Sequence, residues 1–162
     1  AGDALFAPDR EITRAEFAAI VVKGLGLKPG TGNNRFSDVK TSDGYVAYIE
    51  TADAYGIISG YDSEHFGPTD LITREQAMAM IANAMKITGL KVELNTDEVD
   101  RILAAFGDTN QSSIWSKESM AMCIKADIVS GKSALKLAPK DNITRAEVAE
   151  IIRSLLRESD LI

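Results

Sequence analysis

Ile12-Thr13-Arg14-Ala15-Glu16 returns as Ile72-Thr73-Arg74-Glu75-Gln76 and again as Ile143-Thr144-Arg145-Ala146-Glu147. Each copy follows a proline by the same step: Pro8 to Arg14, Pro68 to Arg74 and Pro139 to Arg145 are all six residues. Each also opens a run of helix-forming residues with apolar positions three and four apart. Three copies of one supersecondary unit define a repeat architecture. Thr-x-x-Glu or Thr-x-x-Gln ahead of an apolar run is a capping box, which makes Thr13, Thr73 and Thr144 N-caps. Glu16, Gln76 and Glu147 then reach back to the cap.

The arginine falls at the first helical position, where the partial positive charge of the helix end disfavours a cation by a few tenths of a kcal/mol. Two readings account for it. The arginine stem packs on a neighbouring helix or pairs with a surface acid; or a guanidinium beside orphan backbone N–H groups forms an anion site whose forked donors suit a carboxylate. Three matched copies favour ligand binding.

With 162 residues and 45% hydrophobic content, the chain can bury one core of ordinary size. A net charge of −6, from 24 acids against 18 bases, argues against general nucleic-acid binding, which wants a basic surface. A single cysteine, Cys123, excludes an internal disulfide framework and reads as a buried small apolar residue. No stretch approaches the length of a membrane span. Ala1-Gly2-Asp3-Ala4 lacks the basic start and apolar run of a signal peptide, so the numbering is expected to begin inside a longer precursor.

Along the chain, a loop over residues 1–12 feeds a first capped helix from about Arg14 to Lys23, with Phe17, Ile20, Val21 and Leu25 towards the core. Gly24, Gly26, Pro29, Gly30 and Gly32 stop it. A second block runs Phe36-Ser37-Asp38-Val39, then a helical face marked by Tyr45, Ile49, Ala52 and Tyr55. It continues through Gly56, Ile57-Ile58-Ser59-Gly60 and Phe66-Gly67-Pro68 to a capped helix from about Arg74 to Lys86. The third block repeats the order with Phe106-Gly107-Asp108-Thr109, Trp115, Ile128-Val129-Ser130-Gly131, Leu137-Ala138-Pro139 and the last capped helix. Phe36 to Phe106 and Tyr45 to Trp115 are 70 residues; Gly60 to Gly131 and Arg74 to Arg145 are 71. The approach to the third block is longer and holds a short capped helix around Thr96-Asp97-Glu98-Val99. Placing Phe6 on Phe66 leaves the first block only half present. The units are therefore residues 1–29, the second half of a first repeat; 30–90, a second repeat; and 91–162, a third.

The ordered set of Phe-x-Asp-Val, an aromatic nine residues on, Gly-Ile-Ile-Ser-Gly, Phe-x-Pro and Ile-Thr-Arg-Ala-Glu resembles the S-layer homology family. The likeness covers nearly the whole chain. It implies an all-α fold in which the repeats assemble as a pseudo-threefold helical bundle with connecting loops. It also implies an extracellular module at the cell surface that fastens an S-layer or cellulosome-type cargo, on the same polypeptide, to the cell wall without a covalent bond. The implied partner is a secondary cell wall polysaccharide bearing pyruvyl ketals, whose carboxylate would supply the anion the arginines ask for.

Residue by residue, the resemblance puts Arg14, Arg74 and Arg145 at the motif arginine that faces the carboxylate; on the physical reading of the helix ends, their N–H groups share that anion. Gly60 and Gly131 match a glycine whose missing Cβ permits close approach to a sugar and a positive φ; a simple turn explains them equally well. Asp38 and Asp108 match the Phe-x-Asp acid, where a capping or turn role outweighs sugar contact. Tyr45 and Trp115 match an aromatic that is more often core than sugar platform. Lys132 adds a donor beside Gly131, and the equivalent Tyr61 can stack on a sugar ring. Asp127 stands where Gly56 predicts glycine, and Gln76 replaces the motif acid.

Rival functions fare less well. His65 is the one base suited to neutral pH, a Cys123–His65 dyad would need an exposed thiol, and no carboxylate pair stands out in an apolar setting, so no catalysis is expected. Asp62-Ser63-Glu64-His65 lacks the spacing and glycine of a calcium loop, and neither a metal nor a cofactor is expected. The alternative that fits the repeats as well as sugar binding is a protein-interaction or self-assembly module, which would show exposed apolar anchors in its grooves rather than an arginine.

Overall fold

The computed structural model describes residues 7–162, so Phe6 and the residues before it lie outside the described part. Among the described residues there are six α-helices and isolated β-bridges but no strand: α1 (Arg14–Gly24), α2 (Val46–Ala54), α3 (Arg74–Thr88), α4 (Thr96–Leu103), α5 (Lys117–Lys125) and α6 (Arg145–Glu158). Two 3-10 turns, Thr109–Gln111 and Ile114–Ser116, precede α5. The all-α class follows, as the sequence predicts.

All three repeated threonines cap their helices. Thr13 Oγ1 accepts from Glu16 N at 3.2 Å while Thr13 N donates to Glu16 Oε2 at 2.8 Å. Thr73 with Gln76 and Thr144 with Glu147 make the same reciprocal pair. The amide of Gln76 accepts as its carboxylate counterparts do, so the exchange costs the helix nothing in geometry. The short helix α4 is capped by Asn95 with Glu98, one residue earlier than its threonine suggests.

The segments leading into α1, α3 and α6 meet in a closed circuit. Ile12 N donates to Ile143 O at 3.3 Å, Ile143 N to Ile72 O at 3.0 Å, and Ile72 N to Ile12 O at 3.1 Å. The three isoleucines are buried at that meeting point. The next donors run round the three units in the opposite sense: Arg14 N binds Asp70 O, Arg74 N binds Asp141 O and Arg145 N binds Arg10 O. Ala15 N, Glu75 N and Ala146 N reach Pro68 O, Pro139 O and Pro8 O, each at 3.0 Å. The fixed step from proline to arginine thus has a cause. It places a carbonyl of one unit where the first turn of another unit's helix needs an acceptor.

Helix pairing also crosses the sequence units. α2 of the second repeat packs on α1 of the first, and α5 of the third packs on α3 of the second. The apolar faces join one core, with Phe17, Phe36, Phe66, Met78, Ile81 and Met120 fully enclosed. Cys123 lies in it, its Sγ–H donating to Met78 O at 3.4 Å, and burial pushes its pKa up to about 12.

A buried carboxylate ties the second and third units together. Glu75, 3% exposed, occupies the position held by Ala15 and Ala146 in the other copies. It accepts from Ser113 N at 2.9 Å, Ser113 Oγ at 2.9 Å and Ser116 Oγ at 3.0 Å, and pairs with Lys140. Burial pushes its pKa up, but the bonds from Lys140, Ser113 and Ser116 outweigh it and hold the carboxyl below its ordinary range.

Candidate binding grooves around the repeated arginines

The arginines at the starts of α1 and α3 reach forward into the following repeat. Arg14 donates from Nε to Phe66 O at 2.8 Å and from Nη2 to Ser59 O at 3.1 Å. Arg74 repeats this, with Nε to Leu137 O at 2.8 Å and Nη2 to Ser130 O at 3.2 Å. Each is only 4% exposed. Each of these two arginines is thus a structural peg between repeats, gripping backbone carbonyls, and each also lines a groove.

Arg14 lines a cavity of about 360 Å³ with Gly60, Tyr61, Gln76, Asn83 and Trp115. Its guanidinium lies over the rings of Tyr61 and Phe66, with centroids 4.4 and 4.7 Å away. Arg74 lines a cavity of about 390 Å³ with Gly131, Lys132, Glu147, Glu150 and Arg157. The two cavities occupy matching places, since Gly60 and Gly131, Gln76 and Glu147, and Tyr61 and Lys132 are each 71 residues apart. Lys132 pairs with Asp141 at 2.8 Å where Tyr61 donates to Asp70 at 2.9 Å.

Burial is the main influence on Arg14, and it lowers its pKa despite Tyr61, Asp70 and Asp38 nearby. Arg74 has a partner that Arg14 lacks. Its Nη1 meets Glu147 Oε1 at 2.8 Å.

The two predicted aspartates fall elsewhere. Asp38 accepts from Phe66 N at 2.9 Å and Gly67 N at 2.8 Å, and Asp108 from Leu137 N and Ala138 N at 2.9 and 2.8 Å. Each thus holds the loop whose carbonyl the arginine grips, in hollows separate from the arginine grooves. Burial alone would raise both aspartates; the backbone donors win and hold them low. Gly60 and Gly131 line the grooves, but neither has a positive φ. A Cβ there would sit 2.4 Å from Asp62 O or Ser133 O, so the tight loop itself demands glycine. Arg145 is half-buried, and its backbone N–H reaches Arg10 O at 2.9 Å.

One expectation is corrected. The helix-end N–H groups cannot share a bound anion, because all of them are already engaged: at α1, Thr13 N and Glu16 N in the capping box, Arg14 N and Ala15 N with the neighbouring repeat. The same holds at α3 and α6. A second correction concerns Trp115, read as core. It is 58% exposed in the turn before α5 and lines the Arg14 groove, whereas Tyr45 is half-buried. An aromatic at the start of a short helix carries no sequence signal for which way it faces.

The S-layer homology domain profile matches residues 1–18, 35–78 and 105–149. The chain belongs to the S-layer homology domain family. It is 38% identical over 97% of its length to an amylopullulanase of Thermoanaerobacterium thermosulfurigenes, of which it spans 8%. It is 39% identical over 52% of its length to a cellulosome-anchoring protein of Acetivibrio thermocellus, spanning 20% of that protein. To the surface-layer 125 kDa protein of Lysinibacillus sphaericus it is 27% identical over 96% of its length, spanning 12%. These S-layer homology repeats point to a protein of the extracellular cell surface. No described helix is long and apolar enough to cross a membrane.

Proposed function

We propose that this S-layer homology module anchors an exported protein to the bacterial cell wall, without a covalent bond, by binding an anionic polysaccharide that carries pyruvyl ketals. The observation that carries the reading is the buried guanidinium of Arg14 in a groove edged by the exposed Trp115. A cation out of water binds a carboxylate more strongly than one in bulk solvent. An indole face gives a sugar ring an apolar surface to lie on, so the pair suits an acid attached to a sugar.

The relatives support an appended module rather than a catalytic one. An amylopullulanase and a surface-layer protein share nearly all of this segment and a cellulosome-anchoring protein 52% of it, and the matched part is a small share of each. Cargo on the same polypeptide fits that pattern. The units 1–29, 30–90 and 91–162 are arranged about a pseudo-threefold axis through Ile12, Ile72 and Ile143, a view supported by their cyclic hydrogen bonds. Asp38 and Asp108 act as positioning residues for the loops behind the arginines, and Lys132 edges the second groove.

The test is calorimetric titration with a purified secondary cell wall polysaccharide fragment, before and after acid removal of its ketal. Binding that needs the ketal is expected. Equal binding of both forms, or none, overturns the reading and favours a protein-interaction module.

A further inference from the structure

The two described grooves share an arginine but not its electrostatic surroundings. In the second groove, Arg74 Nε, Nη1 and Nη2 each bind a protein oxygen, the Nη1 partner being the Glu147 carboxylate. Arg74, Lys132 and Arg157 there face Asp127, Glu147 and Glu150, so positive and negative side chains balance. An incoming carboxylate would have to displace Glu147 from Arg74 and sit beside Glu150.

In the first groove the position of Glu147 is held by Gln76 and that of Glu150 by Ala79. Arg14 is the one charged side chain lining it among the described residues. Its Nε and Nη2 are spent on Phe66 O and Ser59 O, while Nη1 has no hydrogen-bond partner among the described residues. A largely enclosed cation whose remaining donor opens onto a groove lined by no acid suits an external anion, although Asp70 and Asp38 stand nearby. Gln76 keeps the capping box that a glutamate would make, so the neutral residue changes the groove's charge without changing its helix.

We infer that, of these two grooves, the one floored by Arg14 receives the carboxylate of the sugar ligand, and that Gln76 in place of glutamate keeps it open to that anion, whereas Glu147 fills the corresponding place at Arg74. The inference rests on the anionic-polysaccharide reading above and names the groove that performs it. The ring attached to the carboxylate lies against Trp115.

Trp115 is the chain's single tryptophan and supplies a groove-specific signal. The pyruvylated wall polysaccharide fragment is titrated into the unaltered chain and into Gln76→Glu, following Trp115 fluorescence and calorimetric heat together. The unaltered chain is expected to show a saturable fluorescence change with the same midpoint as the heat. Gln76→Glu is expected to weaken that change roughly tenfold or more through like-charge juxtaposition. Its melting temperature is expected to be unchanged or higher, because the new carboxylate caps the helix and pairs with Arg14. Lost binding with an undiminished melting point separates a blocked groove from a damaged fold. Heat without any Trp115 change, or Gln76→Glu binding as well as the unaltered chain, overturns the inference and leaves the anchoring reading standing. No heat from the unaltered chain overturns both.

Discussion

Lys140 of the third repeat pairs with the buried carboxylate of Glu75 in the second, at a position where the other two motif copies carry only alanine. The pair is joined by Ser113 and Ser116, so one charge on α3 organises the entry to α5. Glu75→Gln retains the shape but not the charge, and some of its donors then face an amide NH2. The expected loss of stability at neutral pH is roughly 1–3 kcal/mol, read from urea unfolding.

The same carboxylate gives stability a pH dependence of known sign. Glu75 is held below its ordinary 4.5, and Asp38 and Asp108 below their ordinary 3.8. Groups with a lowered folded pKa stabilise the fold above their unfolded values, and that contribution is lost as pH falls through the folded ones. Unfolding free energy should therefore decline as pH drops below about 4.5. The Glu75→Gln curve should decline less, converging on the unaltered chain in acid. Parallel curves would show that Glu75 is not held low.

Arg74 is a peg as well as a groove residue, and its truncation is not silent. Arg74→Ala abandons the carbonyls of Leu137 and Ser130 and the carboxylate of Glu147. Breaking a buried pair of this kind should cost roughly 3 kcal/mol in denaturant unfolding. Arg74→Lys should recover little of it, since one ammonium cannot span three acceptors set around a planar fork.

Ala138 sits at φ 52, where the second repeat places Gly67 at φ 70. An L side chain pays for that conformation, and glycine does not. Ala138→Gly should stabilise the third repeat by roughly 0.5–1 kcal/mol, offset in part by the looser unfolded chain. A lower melting temperature would show that the alanine methyl packs better than its strain costs.

The thiol of Cys123, buried and pushed up to about 12, should resist a disulfide reagent at pH 8 in the folded chain and react at once in denaturant. Fast labelling of the folded form would mean that α5 opens readily from α3.

Much of the fold was legible because its signals are local. A threonine followed three residues on by glutamate or glutamine makes its own cap, and all three boxes form wherever the pattern occurs. What the arginines hold was not legible. Pairing Arg14 with Phe66 O depends on a backbone carbonyl 52 residues away, to which side-chain identity at Phe66 gives no clue. The fate of the helix-end N–H groups escaped for the same reason. Glu75 was hidden differently: in sequence it resembles a favourable first-turn acid, and only the meeting with Ser113 and Lys140 shows it to be buried. For Gln76 the departure from the motif was visible, but not its consequence, which needs the Arg74–Glu147 pair for comparison.

The hydrogen-bonded circuit of Ile12, Ile72 and Ile143 sets this array apart from a linear solenoid, where a repeat touches only its chain neighbours and unfolding can creep inward from an end. Here the first motif copy bonds directly to the third, 131 residues along the chain. Closing so long a loop costs entropy before any bond repays it. Once closed, no unit can come loose without breaking contacts with both of the others. Such a chain behaves as one cooperative block, in which a pull on any repeat is shared by all three.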